Sequence, residues 1–498
     1  MAPTIIADAA CRSRNAVSTP FARRPHLRRM RRPALLLALL CVIGSCVAQT
    51  SPGKGPPWRE ILLSRREVPA DQNALTRWRP LFPQLFPKDP ELSGELSLLS
   101  SPLTDVPNVG SSSLKAWLAA LGPALKELTL NGRERMQFPP LHGPETPFPD
   151  HQPLRQLALV RTLALKVAWV DGRRDEAVAF ALENLALSRA LLSEQEGLIP
   201  VLNASGVWQI SLDGVYWLAR QPALTPAQAM RLQLALFQDE RLASDALIRA
   251  FRGEFTFFTQ VVVERLPRTN DVELFLSSIG SLGLAPPVSP QEGEPRLSIP
   301  VRNPFDRDAT LQAAADDVRG WVRAFELVAR HPRGLASTHT TAHLGRYARE
   351  IRTLLLYAVQ DAPVTEEQVK AVDVEIAAVE NPVGKLFLII TTSQWEPISA
   401  SVFRREAQRS ALTGLLAWRR LGRPAEWKEL VAAGLLADAP VDPFSTTSLR
   451  VELSDPSHIW STGEDGIDNG GLGDGENIGR PADLSWPLPM PANQSGSP

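Results

Sequence analysis

The chain has 498 residues, 44% of them hydrophobic, with 53 basic and 54 acidic side chains. That length and composition suit two or three packed domains and exclude disorder throughout. All three cysteines (Cys11, Cys41 and Cys46) fall near the start of the chain. The remainder therefore has no disulfide, thiolate nucleophile or cysteine-ligated zinc.

Residues 1–48 read as a basic, acid-poor leader. Its apolar run, Ala34 to Ile43, is too short to span a bilayer and has the character of a secretory signal. Met30-Arg31-Arg32-Pro33 directly precedes that run, so Met30 is the expected true start. Two processing readings stand side by side. Cys46-Val47-Ala48 before Gln49 offers the small residues a signal peptidase prefers. Ile43-Gly44-Ser45-Cys46 resembles the lipobox of bacterial lipoproteins, in which Cys46 would be acylated and serve as a lipid anchor. Both place the mature chain outside the cytoplasm, in the periplasm or cell envelope of a bacterium, with no transmembrane span. Removing the leader's eight arginines and one aspartate takes the formal charge from −1 to −8. An acidic exported chain without a basic stripe is a poor nucleic-acid binder.

Residues 49–153 carry many prolines, among them Pro56, Pro57, Pro80, Pro83, Pro87 and Pro90, and scattered tryptophans (Trp58, Trp78). This predicts extended chain wrapped on a surface, interrupted by one helix over Ser113 to Leu128. The main helical block, 154–266, opens with apolar residues from Leu154 to Ala168 at helical spacing. Gly172 stops that helix, and the pattern resumes from Ala177 to Leu191, which predicts an antiparallel hairpin. The stretch from Trp169 to Leu187 is similar to a single tetratricopeptide-type unit, without a second copy at the repeat period. Further helices are expected over Pro200–Ala219 and Pro226–Leu266. The second has a capping box at Thr225-Pro226-Ala227-Gln228, and Gly253 is expected to divide it. After a loop-rich connection (267–308), a second helical block (309–402) is expected, with helices over Ala309–Ala329, over Thr338–Val359 and from Thr365 to Asn381. Leu386 to Ile390 reads as core.

Catalytic signals are sparse. His339 and His343 share one helix face, as metal ligands would, but Thr340-Thr341-Ala342 between them lacks the glutamate of an HExxH site. Polar surface histidines are the simpler reading. Glu254 stands in an apolar segment, where a carboxylate either acts as a general acid or base or pairs with an arginine. Structural pairing is the default.

The end of the chain, 403–486, has a characteristic order. An arginine-rich helix is followed by Gly422-Arg423-Pro424, Trp427-Lys428-Glu429-Leu430, Asp442-Pro443-Phe444, Ile459-Trp460-Ser461, Glu464-Asp465-Gly466 and Asp483-Leu484-Ser485-Trp486. This order resembles the C-terminal half of the major pseudopilin of type II secretion systems. It is also similar to large exported helical bacterial proteins of uncharacterised function that carry such a tail. The resemblance implies a small α+β unit with a calcium-binding loop. The leader has neither a prepilin cleavage motif nor a long apolar helix with a glutamate, and Thr446-Thr447 replaces the usual Gly-Asn turn, so assembly into a fibre is not implied. Strands are expected near Leu449–Leu453 and His458–Ser461, and residues 487–498 as a disordered end.

Between Glu464 and Glu476 lie five acidic side chains, five glycines and no lysine or arginine. Counting Asp465 as the first of twelve positions puts Asn469 fifth, Gly470 sixth and Glu476 twelfth, an EF-hand spacing broken by Ile467 at the third. The flanking helices of an EF-hand are missing, and the pseudopilin resemblance implies instead Asp465 and an acid near Asp474 with the carbonyls of Thr462 and Gly470; Asp468 and Glu476 complete the candidate calcium ligands. The expected architecture is mainly α, layered helical hairpins closed by a small C-terminal α+β tail. The expected function is an exported, non-catalytic helical scaffold that binds envelope proteins or peptides. The alternative is an envelope hydrolase with a pocket between helices, using Glu254 or the His339/His343 pair.

Overall fold

Each expected hairpin turns on a local signal. In the computed structural model, helices α4 (His151–Val170) and α5 (Arg174–Glu194) are joined by a tight turn in which Gly172 has a φ of +82°, a conformation open to glycine. Helix α6 (Leu198–Arg220) follows and packs on both. Helix α7 (Pro226–Phe237) starts at the expected capping box: Thr225 Oγ1 accepts from the Gln228 amide at 3.3 Å and Gln228 Oε1 from the Thr225 amide at 3.2 Å. The structure describes residues 57–62, 67–99, 112–131, 134–138, 150–260, 305–330, 395–445, 447–454, 457–464, 467–471 and 483–488, with isolated positions between 367 and 388.

The expected helix from Pro226 to Leu266 is two helices, and Gly253 is not where it breaks. The interruption lies at residues 238–241, and α8 (Leu242–Gln260) runs through Gly253. A Cβ at Gly253 would lie 2.7 Å from the Gly197 amide nitrogen, so the glycine serves the close approach of α8 to the start of α6. The proline-rich stretch is also more regular than expected. Pro57 opens a 3₁₀ turn, Pro80 lies in a second one, and Pro90 opens helix α2 (Pro90–Leu99), after the short α1 (Ala74–Trp78). Proline is compatible with a first helical turn, whose amides have no partner within the helix. Trp58, Trp78, Phe82 and Leu85 are buried there, so this stretch contributes to the core. Helix α3 (Ser112–Glu127) completes this part.

Helix α9 (Arg307–Arg330) packs on α8, and α10 (Trp395–Leu421) lies along α6 and α7. An aromatic cluster ties three of these helices together. Phe251 of α8 has its ring centroid 5.3 Å from Trp321, 5.2 Å from Phe325 and 4.8 Å from Trp395, and Phe403 adds a ring 5.9 Å from Phe325. Such tilted and edge-on pairs add to the burial of large apolar surface. The fold is mainly α.

After α11 (Trp427–Ala432) come three short antiparallel strands in the order β1 (Arg450–Glu452), β2 (Ser457–Ser461), β3 (Leu484–Leu488). Two occupy the expected positions. The third was not foreseen; Ile459 of β2 pairs with Val451 on one side and Trp486 on the other. Pro487 is tolerated because β3 is an edge strand. The sheet joins the helical body through Tyr216 of α6, whose Oη donates to the Pro487 carbonyl at 2.8 Å. Within that body Arg419 of α10 caps α6, its Nε and Nη2 donating to the Ala219 carbonyl at 2.6 Å and the Arg220 carbonyl at 3.0 Å. Residues Pro57–Pro498 cluster as one compact unit.

No helix among the described residues is long and apolar enough to cross a membrane. The leader with Met30 and Cys46, the connection at 267–304, the segment holding His339 and His343, and the terminal residues 489–498 lie outside the described residues. So does most of the segment from Thr365 to Asn381. Leu388, in the expected core run, is 1% exposed.

Candidate functional site

Among the described residues, the acidic loop after β2 and a groove between α3 and the α4/α5 hairpin are the candidate sites. The loop is held at its base by Asp442, fully buried in the Asp-Pro-Phe turn. Its carboxylate accepts from the Phe444 amide, Ser461 Oγ at 2.7 Å, the Thr462 amide at 3.0 Å and Thr462 Oγ1 at 3.1 Å. Asp483, just before β3, closes the other side: its Oδ2 accepts from the amides of Asn469 at 2.9 Å and Gly471 at 2.8 Å. Gly470 and Gly471 have φ of +75° and +76°, and a Cβ on Gly471 would lie 2.6 Å from His458 Nε2, so the ring of β2 leaves room only for glycine.

Asp468 is already engaged. Trp460 Nε1 donates to its Oδ1 at 3.1 Å, the Gly470 amide to the same oxygen at 3.0 Å, and Arg450 Nε to Oδ2 at 3.1 Å. Burial works to raise this carboxyl, but those donors outweigh it and hold its pKa below the ordinary value. Glu464 pairs with Arg404 of α10 at 2.5 Å. Of the candidate ligands, Thr462, Asp468 and Gly470 thus share one framed loop, while Asp465, Asp474 and Glu476 lie outside the described residues. Among the described residues no three histidine, cysteine, aspartate or glutamate side chains converge on one point.

The groove has a volume of about 650 Å³. Its floor is apolar, formed by Leu118 and Leu125 of α3, Ala164 and Val167 of α4, and Phe180 of α5. Charged residues line its rim, and most are mutually satisfied. Asp171 pairs with Lys115 at 3.3 Å and with Arg173 at 3.1 Å, and Arg173 reaches Glu176 at 2.6 Å. Lys126 makes no ion pair among the described residues.

Glu183 is the exception on the acidic side. Its partner is Arg161, 1% exposed, whose Nε stands 3.4 Å from Glu183 Oε2 without forming a hydrogen bond; Arg161 spends Nη2 on the Leu128 carbonyl at 2.8 Å. Burial dominates both groups: it pushes the Arg161 pKa down to about 10 and raises that of Glu183, each only partly offset by the other. The apolar pattern from Ala177 to Leu191 includes Phe180, which packs against the core, but gives no signal for Glu183 by itself. The available signal was the Glu176, Phe180, Glu183 spacing, which aligns acid, ring and acid on one helix face.

Glu254 caps a neighbouring helix. Its Oε2 accepts from the Leu198 amide at 3.2 Å, supplying from α8 the cap that Gly197 lacks at the start of α6. Burial raises its pKa, opposed by that amide. Three other buried acids are likewise committed, whereas the buried Oδ2 of Asp317 has no partner among the described residues. Asp239 pairs with Arg189 at 2.6 Å, Glu406 with Arg409 at 2.6 Å, and Asp213 accepts from Gln209 at 2.8 Å and Gln408 at 2.9 Å.

No family model matches the sequence, and comparison with curated proteins and with solved structures likewise finds no match.

Proposed function

We propose that this chain is an exported, non-catalytic binding protein of a bacterial cell envelope that takes an extended segment of another protein into the α3/α4/α5 groove. The observation carrying this reading is the groove itself. It combines an apolar floor with a charged rim on three packed helices, the arrangement by which helical proteins hold peptides. The commitment of Glu254 to a helix cap and of Asp213, Asp239 and Glu406 to partners supports a binding role. Cys46 is the candidate point of lipid attachment. The test is a survey of leucine-containing extended peptides against the mature chain by fluorescence anisotropy. Saturable binding is expected, and it should be lost in Ala164→Trp, which fills the floor. Absence of binding across the survey would overturn the reading, as would turnover of a generic ester, glycoside or peptide substrate that disappears in Glu254→Gln.

The loop between β2 and β3 is proposed to bind calcium, through Asp465, Asp468, Asp474, Glu476 and the carbonyls of Thr462 and Gly470. Calcium prefers six to eight oxygens, and the glycines let carbonyls turn inward. The frame made by Asp442 and Asp483 supports this reading, because it holds residues 461–462 and 469–471 of the loop in place. Saturating calcium should then raise the melting temperature by linkage to the folded state. Calorimetric titration without heat of binding, or equal binding after Asp465→Ala, would overturn it.

A further inference from the structure

We infer that the groove selects peptides carrying a basic side chain and that Glu183 is the residue that reads it. The inference rests on the proposed peptide-binding role of the groove and goes further, naming the ligand's chemistry.

The argument is one of unequal satisfaction. Six charged residues line the groove: Lys115, Lys126, Asp171, Arg173, Glu176 and Glu183. Four of them form a closed set, since Lys115 and Arg173 neutralise Asp171 and Glu176. A ligand charge meeting that set finds each group with an opposite partner within 3.3 Å. Glu183 differs in geometry. Its counter-charge lies behind it, buried, with Nε 3.4 Å away but making no hydrogen bond to it, and is shared with the Leu128 carbonyl. Its side chain is 31% exposed and lines the groove. A carboxylate whose buried partner offers no hydrogen bond gains more from an incoming ammonium or guanidinium than one already bridged. Phe180, one helical turn before Glu183, lies in the same groove and supplies a ring beside which an aliphatic stem can lie. Lys126 sets the competing outcome, because without an ion partner among the described residues it would favour an acidic ligand.

Three labelled peptides decide the matter, identical and flanked by leucines except for a central lysine, norleucine or glutamate. Measured by fluorescence anisotropy against the mature chain, the lysine peptide should bind about fivefold to tenfold more tightly than the norleucine peptide, as a half-buried ion pair would give. The glutamate peptide should be weakest. In Glu183→Gln the lysine-to-norleucine ratio should collapse toward one, a ratio that general damage to the groove would not move. Equal affinities in the wild type, a preference for the glutamate peptide, or a ratio that survives Glu183→Gln would each overturn the inference while leaving the groove a peptide site. Failure of all three peptides to bind would instead overturn the peptide-binding reading itself.

Discussion

Asp317 lies 2% exposed on α9, and its Oδ2 accepts no hydrogen bond from any described residue. Burial, with the neighbouring Asp316 charge adding to it, pushes the carboxyl up to about 7. Because the folded pKa is above the ordinary value, stability from this group is complete below about pH 4 and is lost as pH rises to 7, by an amount on the order of 2–4 kcal/mol. His151 works in the other direction. Burial, partly offset by Asp150, lowers its pKa to about 4, so the folded state resists protonation and stability is lost as pH falls from 6.5 toward 4. The two slopes oppose each other over that window. Asp317→Asn should therefore stabilise the protein at pH 8 by about 1–3 kcal/mol and unmask a loss of stability on acidification below pH 6.5. Urea unfolding at pH 4.5, 6.5 and 8 checks both. Unchanged stability at pH 8 would show that Asp317 is not strained.

At the scale of elements, glycine has different meanings in different helices. Gly206 of α6 has nothing within 4 Å of where a Cβ would stand, so Gly206→Ala should add only helix propensity, a gain of about 0.5–1 kcal/mol. Gly414 of α10 has the Trp427 ring at 2.7 Å and Ile459 Cδ1 at 2.9 Å from that position. The indole cannot retreat freely, because its Nε1 donates to the Leu449 carbonyl at 2.7 Å. Overpacking of about 1–3 kcal/mol then exceeds the propensity gain, and Gly414→Ala should destabilise by roughly 1–2 kcal/mol net. Thermal melts followed by circular dichroism should move in opposite directions for the two variants. A gain in both would mean that α10 and the sheet are not in tight contact.

For the whole molecule, α10 is the element on which coupling depends. It packs along α6 and α7, carries Gly414 against Trp427 and Ile459, and caps α6 through Arg419. Gln233 of α7 adds bonds to the Thr413 carbonyl at 3.2 Å and the Leu435 carbonyl at 3.1 Å. The sheet and the helices should consequently unfold together. Removal of residues 440–498 should lower the melting temperature of the helical body, and far-UV dichroism and tryptophan fluorescence of the chain from residue 49 onward should report one coincident transition. Two separated transitions would show that the tail folds independently of the helices.

What the sequence by itself determined was everything with a local cause. The hairpin at Gly172, the Thr225–Gln228 capping box, the mainly helical class and the first two strands follow from periodicity, caps and turn residues that act within a few positions. The proline-rich stretch misled because proline has two uses, and whether it opens a helical turn or keeps the chain extended depends on what Trp58 and Trp78 pack against. Gly253 misled for a similar reason: a helix-weakening residue is also what lets two backbones meet, and the Gly197 amide 2.7 Å from its would-be Cβ is 56 positions away in the chain. Strand β3 needed β2 as a partner before Leu484 to Leu488 could count as a strand. The groove was decided wholly by tertiary structure. Glu183 becomes the under-compensated carboxylate only because α4 buries Arg161 behind it and the Leu128 carbonyl claims part of that guanidinium, and no local pattern encodes the sharing of one charge among three segments.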